Sequence, residues 1–343
     1  MMDTPLNLWS LVRGLARHHG RGEVVTRSAA RPTHRTTYAE TAARAMQLMH
    51  ALDGLGLSPG ARVATLAWND HRHLEAYIAV PCTGRVLHTV NVRLSDDELA
   101  YILDHAGDEA VLVDPDFLPV VERIRHRVPS LRHVVVLADE GAAEAPSALV
   151  YEDLIAGQPN HYEPLDIPES APLGLCYTSG TTGHPKGVEY THRSAFLHTL
   201  ACTSAAGMCI GPGDAVLPQV PMFHANAWGM PYAAIAVGAK QVFFAGNLDA
   251  SAFVDTLVEE RVTVTAGVPT VWLAVADELA ARQVALPDLR HIVVGGSQPP
   301  RALIERYRTE FGVPIVQAWG MTETSPLASL AWPHEYMRTW DED

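Results

Sequence analysis

A chain of 343 residues, 48% apolar and 19% charged, has the composition of a folded globular protein long enough for about two lobes with their own cores. Its net charge of −14 argues against a nucleic-acid partner, which needs a basic face, and requires that any polyanion be met by locally concentrated positive charge. Cys82, Cys176, Cys202 and Cys209 lack CxxC spacing, residues 1–7 lack a signal pattern and no apolar run approaches the ~20 residues of a membrane span, so free thiols, no transmembrane segment and a cytoplasmic location are expected.

Leu8, Leu11, Val12 and Leu15 stand at helical spacing, and 23–27 is strand-like. Thr37 and Glu40 have capping-box spacing and open a helix through Leu52, ended by Gly54 and Gly56. A strand at 62–66, a helix carrying Leu74, Tyr77 and Ile78, and a strand at 85–89 follow. Ser95 and Glu98 form a second capping box, with Leu99, Ile102 and Leu103 on one helical face. A strand at 110–113, a helix at 117–126 and a strand at 134–137 continue the alternation. Residues 138–160, rich in Glu, Gly, Ala and Pro, read as a surface excursion, and Pro164, Pro168 and Pro172 mark an extended lead-in to the apolar run 173–177.

Beyond it the spacing predicts helices at 193–205, 228–237, 251–261 and 272–279, and from Pro299-Pro300 to Phe311. Strands are expected at 215–220, 241–244, 262–266, 291–294 and 313–317. Strand–helix alternation at this spacing implies βαβ units. The expected class is α/β, with mainly parallel sheets flanked by helices in two lobes, approximately 1–165 and 166–343.

The most informative stretch runs from Leu173 to Tyr190, LGLCYTSGTTGHPKGVEY. Thr178, Ser179, Gly180, Thr181, Thr182 and Gly183 supply hydroxyl donors and glycine backbone that can converge N–H groups on an anion. Lys186 adds a compact positive charge that can reach a polyphosphate. This is not the Walker pattern, because Pro185 precedes the lysine and Gly187 follows it. A plain surface turn is the alternative reading for any Gly/Ser/Thr loop.

Three further stretches also follow strands, where open parallel sheets bind ligands: PMFHANAW at 221–228, Gly295-Gly296-Ser297, and WGMTE at 319–323. In the last, an aromatic can stack on a purine and a carboxylate can hold a hard cation against phosphate oxygens. Considered alone, Glu323 is an ordinary solvated glutamate, Gly295-Gly296 a tight turn and Trp228 a core tryptophan. Most of the 17 histidines, His18, His19, His71, His73 and His105 included, have no ligand spacing. The absence of GxSxG and of GxGxxG disfavours a serine hydrolase and a dinucleotide-binding oxidoreductase.

The string TSGTTGHPKG resembles the phosphate-binding loop of the adenylate-forming (AMP-binding) superfamily, and AWGMTETSP resembles its second core motif. With VPMFHANAW, HRTTYAE, RVATL, HLEAY and TAGVPTVWLA, the resemblance covers nearly the whole chain and is to the large N-terminal domain of medium- or long-chain fatty acyl-CoA synthetases. It implies ATP-dependent activation of a fatty acid to an acyl-adenylate, followed by transfer to coenzyme A. By the same resemblance residues 178–183, Lys186, Gly295, Gly296, Ser297, Trp319, Gly320, Met321 and Thr322 contact the nucleotide, and His224, Lys186 and Thr322 serve catalysis. Thr181 and Glu323 hold Mg²⁺, and Trp228 gates an acyl tunnel. Many relatives carry Tyr where Trp319 stands; Trp keeps a stacking face.

Family members continue beyond the second core motif into a small C-terminal domain that carries the adenylation lysine. The resemblance therefore implies a truncated chain, from which turnover alone is not expected. Relatives are commonly homodimers, which makes a homodimer an expectation by analogy. Two other readings stay open: a non-catalytic nucleotide- or acyl-binding module, and an adenylating enzyme for another carboxylic acid or a carrier protein.

Overall fold

The computed structural model describes residues 4–139, 141, 148–178 and 184–337. Fifteen strands lie among them: β1 (Glu23–Ser28), β2 (His34–Thr37), β3 (Arg62–Leu66), β4 (Val86–Thr89), β5 (Asp108–Val113), β6 (His133–Val136), β7 (Leu149–Val150), β8 (Pro172–Thr178), β9 (Lys186–Thr191), β10 (Ala215–Pro218), β11 (Lys240–Ala245), β12 (Val264–Gly267), β13 (His291–Val294), β14 (Ile315–Gly320) and β15 (Leu327–Leu330). They build two sheets, in the orders β7-β6-β5-β3-β4-β8-β9 and β15-β14-β13-β12-β10-β11-β1-β2. Pairing is parallel except at the edges, where β9, β15 and β2 run antiparallel to their neighbours. This is the expected α/β architecture. The sheets interleave along the chain: β1 and β2 join the strands that follow residue 210, and β8 and β9 complete the sheet that β3 begins.

Local chemistry accounts for most elements. Thr37 caps Tyr38–Gly54 and Ser95 caps Asp96–Ala106, each with the reciprocal glutamate bond of a capping box. Parallel strands covered on both faces favour apolar runs, and β3 and β13 have them, whereas β4 is buried throughout but carries His88 and Thr89.

The segment after β6 departs from a surface excursion. Tyr151–Ile155 is a short helix, and Tyr151 is fully buried. The Tyr151 hydroxyl donates to Glu75 at 2.6 Å, and Glu152 accepts from Arg44 and Arg72, each at 2.8 Å. These partners lie roughly 80 to 110 residues away in sequence, so no local periodicity announces the docking.

Two buried polar side chains set the position of the second sheet against its surroundings. Asn69, between β3 and the helix His71–Cys82, spends its amide entirely on the chain leaving β10. Its Nδ2 donates to Pro218 O (3.1 Å) and Val220 O (3.0 Å), and its Oδ1 accepts from Met222 N (2.6 Å). His198, on the helix His192–Thr203, accepts the Leu327 N–H of β15 on Nε2 at 3.2 Å. Burial depresses the His198 pKa to about 4, so the ring stays neutral and keeps the lone pair that this bond needs.

Asn69→Leu leaves two carbonyls and one N–H buried without partners and is expected to lower unfolding free energy by about 2–4 kcal/mol, read from denaturant midpoints. An unchanged midpoint would show that water replaces the amide. For His198, the unfolded chain binds a proton near pH 6.5 and the folded chain only near pH 4. Stability from this group is therefore present above pH 6.5 and lost as pH falls. Between pH 7.5 and 5 the wild-type chain should lose about 2 kcal/mol more than His198→Gln. Parallel pH profiles for the two chains would contradict a buried neutral imidazole.

Candidate functional site

The carboxyl ends of β10, β13 and β14 open on one cleft, where an open parallel sheet binds its ligands. Its walls include His224, Trp228, Gly295, Gly296, Gly320, Met321 and Thr322. Seven of the residues singled out in the sequence thus meet around one space. Neighbouring parallel strands put their ends side by side, which is why stretches roughly 25 to 100 residues apart in sequence converge here.

The glycines are required by close approach. A Cβ on Gly295 would stand 2.9 Å from Ala318 O and 3.0 Å from Trp228 Cη2, so the indole rests on bare backbone. A Cβ on Gly320 would fall 2.2 Å from Pro326 O, where β14 turns into β15.

Trp228 does not begin a helix, contrary to the sequence expectation. Ala225, Asn226, Ala227 and Trp228 have φ between 46° and 55°, Gly229 follows at 75°, and the helix starts only at Met230. Four successive non-glycine residues in the left-handed region cost roughly 1–2 kcal/mol each, so the surroundings must hold them. The holding groups are visible. Trp228 is buried against Gly295, and Asn226 is buried with its Oδ1 facing Thr89 Oγ1 (3.4 Å), Cys176 Sγ (3.4 Å) and the Tyr77 hydroxyl (3.5 Å) of the first sheet's lobe. The Tyr77 hydroxyl also donates to Met222 O. Cys202 and His198 pack behind, where a Cβ on Gly229 would strike His198 Nδ1.

His224 stands at the head of this turn and faces the cleft mouth. Desolvation by the surrounding walls and the nearby Arg93 guanidinium lower its pKa, which keeps the imidazole neutral near pH 7. A neutral ring can donate from one nitrogen and accept on the other.

Other expected site residues lie around the cleft or beyond the described residues. The strand β14 extends through Gly320, so Trp319 is a strand residue rather than part of the following loop; its side chain is 55% exposed. Ser297 is exposed beside Gly296. Glu323 is exposed in the turn Thr322–Thr324, and no ion pair among the described residues engages its carboxylate. Thr178 and Lys186 face each other across the β8–β9 hairpin, with Lys186 exposed and likewise without an ion pair among the described residues. Ser179, Gly180, Thr181, Thr182 and Gly183 lie outside the described residues.

The hairpin belongs to the first sheet, whereas the other three stretches end strands of the second. Among the described residues the Tyr190 hydroxyl of β9 donates to Thr322 O at 2.7 Å, and Cys176 Sγ of β8 lies 3.4 Å from Asn226 Oδ1. Burial, and then the charges of Cys176 and Glu323, raise the Tyr190 pKa, so it remains a donor. Tyr190, Asn226, His198 and Asn69 were not legible as site residues. Their only signal is a polar side chain inside an apolar run, which Asn226 in HANAW and Asn69 in AWND both show.

No described helix is long and apolar enough to cross a membrane, and no group of three or more His, Cys, Asp or Glu among the described residues could hold a metal. A family model described as AMP-binding enzyme matches residues 13–342. The chain is 49% identical over 343 residues to a long-chain-fatty-acid–CoA ligase of Thermus thermophilus, covering 100% of this chain and 62% of that protein. It is 40% identical over 336 residues to a medium-chain-fatty-acid–CoA ligase of Ectopseudomonas oleovorans, covering 97% and 62%. Among solved structures, the anthranilate CoA ligase AuaEII in complex with anthranoyl-AMP superposes with a TM-score of 0.86 at 26% identity, covering 96% of this chain and 62% of that one. The chain thus spans about 62% of the length of the relatives it matches. A cleft built at strand ends by glycine, histidine and tryptophan, and a match over nearly every residue, place the chain in the adenylate-forming, AMP-binding enzyme family.

Proposed function

We propose that the cleft holds an acyl-adenylate made from ATP and a medium- or long-chain fatty acid, and that the chain serves an acid–thiol ligase reaction passing the acyl group to coenzyme A. The observation that carries this reading is the Tyr190–Thr322 hydrogen bond, which ties the lysine-bearing hairpin to the turn bearing Glu323 beside the cleft. The fatty-acid class is supported by the names of the relatives at 40–49% identity.

The carboxylate oxygen attacks the α-phosphorus of ATP, pyrophosphate leaves, and the mixed anhydride stays bound until a thiolate displaces AMP. Such chemistry depends on positioning and charge neutralisation. Lys186 and the hydroxyls of 178–183 would meet the phosphates. His224, kept neutral, would donate to an oxygen at the reacting centre and orient the acid. Gly295, Gly296 and Ser297 would let a flat base approach backbone, Trp319 would stack on it, and Met321 and Thr322 would border the phosphate. Trp228, wedged on Gly295, would close the acyl side. An exposed carboxylate with no cation partner among the described residues fits Mg²⁺, which is commonly held by one or two carboxylates plus substrate phosphates. Glu323, with Thr181, would hold the ion, whose chemistry when bound is to neutralise phosphate charge.

Lys186→Ala and Glu323→Gln are each expected to weaken MgATP binding to this chain about tenfold without lowering its melting temperature, as read by calorimetry. Wild-type affinity in both variants would overturn the assignment. Gly295→Ala places a methyl against the Trp228 ring and the Ala318 carbonyl. Overpacking costs about 1–3 kcal/mol, and the displaced indole should weaken binding of a non-hydrolysable acyl-adenylate analogue more than binding of MgATP. Equal weakening of both ligands would remove Trp228 from the acyl side.

A further inference from the structure

The outer face of the helix Asp96–Ala106 touches both ends of the segment that joins β8 to β9. Tyr101 and His105, one helical turn apart, stack with ring centroids 5.4 Å apart and planes 26° from parallel. His105 Nδ1 lies 2.7 Å from the Tyr177 hydroxyl, two residues before the hydroxyl-rich stretch 179–183. Tyr101 stacks on His184, the residue immediately after that stretch, at 4.6 Å and 25°. Two neighbouring rings on one helix therefore hold the two shoulders of the lysine-bearing hairpin.

The platform beneath is well anchored. The Ser95–Glu98 capping box starts the helix, Gly107 in the left-handed conformation ends it, and Leu99, Ile102 and Leu103 are buried on its other face. On the hairpin side the Tyr177 ring covers Gly187, its cross-strand partner, where a Cβ would come within 3.3 Å of the ring. Tyr177 also packs at 5.1 Å on His88, which is fully buried and held by Asp108 at 2.7 Å. By contrast Tyr101 is half-buried, and His105 and His184 are exposed. The stack thus contributes little to the core, although it spans the two points where the loop leaves and rejoins the sheet.

We propose that Tyr101 and His105 are positioning residues that hold Tyr177 and His184 and through them set the β8–β9 hairpin and its Lys186 for a triphosphate. Fixing both ends before binding removes ordering entropy that the ligand would otherwise have to offset. The inference rests on the ATP reading above and names the device that sets the affinity of that site.

The test measures MgATP affinity by calorimetry and amide hydrogen exchange across residues 173–190, in wild-type chain, Tyr101→Ala, Tyr101→Phe and His184→Ala. Removing an aromatic pair should weaken MgATP roughly three- to tenfold in Tyr101→Ala and His184→Ala, whereas Tyr101→Phe, which keeps the ring, stays within about twofold. Exchange across 173–190 should quicken in the two alanine variants only, with exchange elsewhere unchanged. Unaltered affinity alongside faster exchange would overturn the positioning role, and lost affinity with unaltered exchange would overturn the clip. If Tyr101→Ala fails to fold, His184→Ala makes the same test from the loop side. If the wild-type chain binds no MgATP, the nucleotide reading fails, and the clip then stands on faster exchange in the alanine variants or falls without it.

Discussion

The site depends on one amide. Asn69 satisfies Pro218 O at the end of β10 together with Val220 O and Met222 N, while Gln219 N and Val220 N stay tied to Ala266 O of β12. Buried backbone groups must be paired, so the path from the end of β10 to His224 is held by a side chain from the other sheet's lobe as well as by β12. Everything that meets at the cleft from that path, His224 and Trp228 above all, inherits its position from this clasp.

The left-handed run from Ala225 to Gly229 is the second consequence. Strain of this kind persists only when surroundings over-determine it, and they do so from several sides. Asn226 faces Tyr77, Thr89 and Cys176 of the first sheet's lobe, Trp228 presses on Gly295, and His198 packs on Gly229. The tight turn delivers an imidazole and an indole into the same small space.

Electrostatics follow the same economy. In a chain of net charge −14, Arg27, Arg35 and Lys240 surround the buried Glu260, and Arg44 and Arg72 share Glu152. Lys186 and Glu323 have no ion pair among the described residues. Opposite charges left uncommitted on two segments joined by Tyr190 suit a ligand that carries both phosphate and a cation, and an ion pair inside the protein would have removed that capacity.

Local pattern carried much of the architecture. Capping boxes at Thr37 and Ser95, apolar runs at β3 and β13, and Gly/Ser/Thr density after β8 are nearest-neighbour signals, and each specifies its element without distant help. The α/β class was legible for that reason, whereas His224, Gly295, Gly296 and Thr322 became candidates through the family resemblance of the stretches that follow the strands. What only the tertiary structure decided are features whose energy comes from remote partners: the docking of Tyr151 on Glu75, the reversal of φ at 225–228, the reach of β14 through Trp319, and the ties made by Asn69, His198 and Tyr190. A sequence window sees only neighbours along the chain, whereas a buried polar group or a strained turn is stabilised by whatever the folded chain brings beside it.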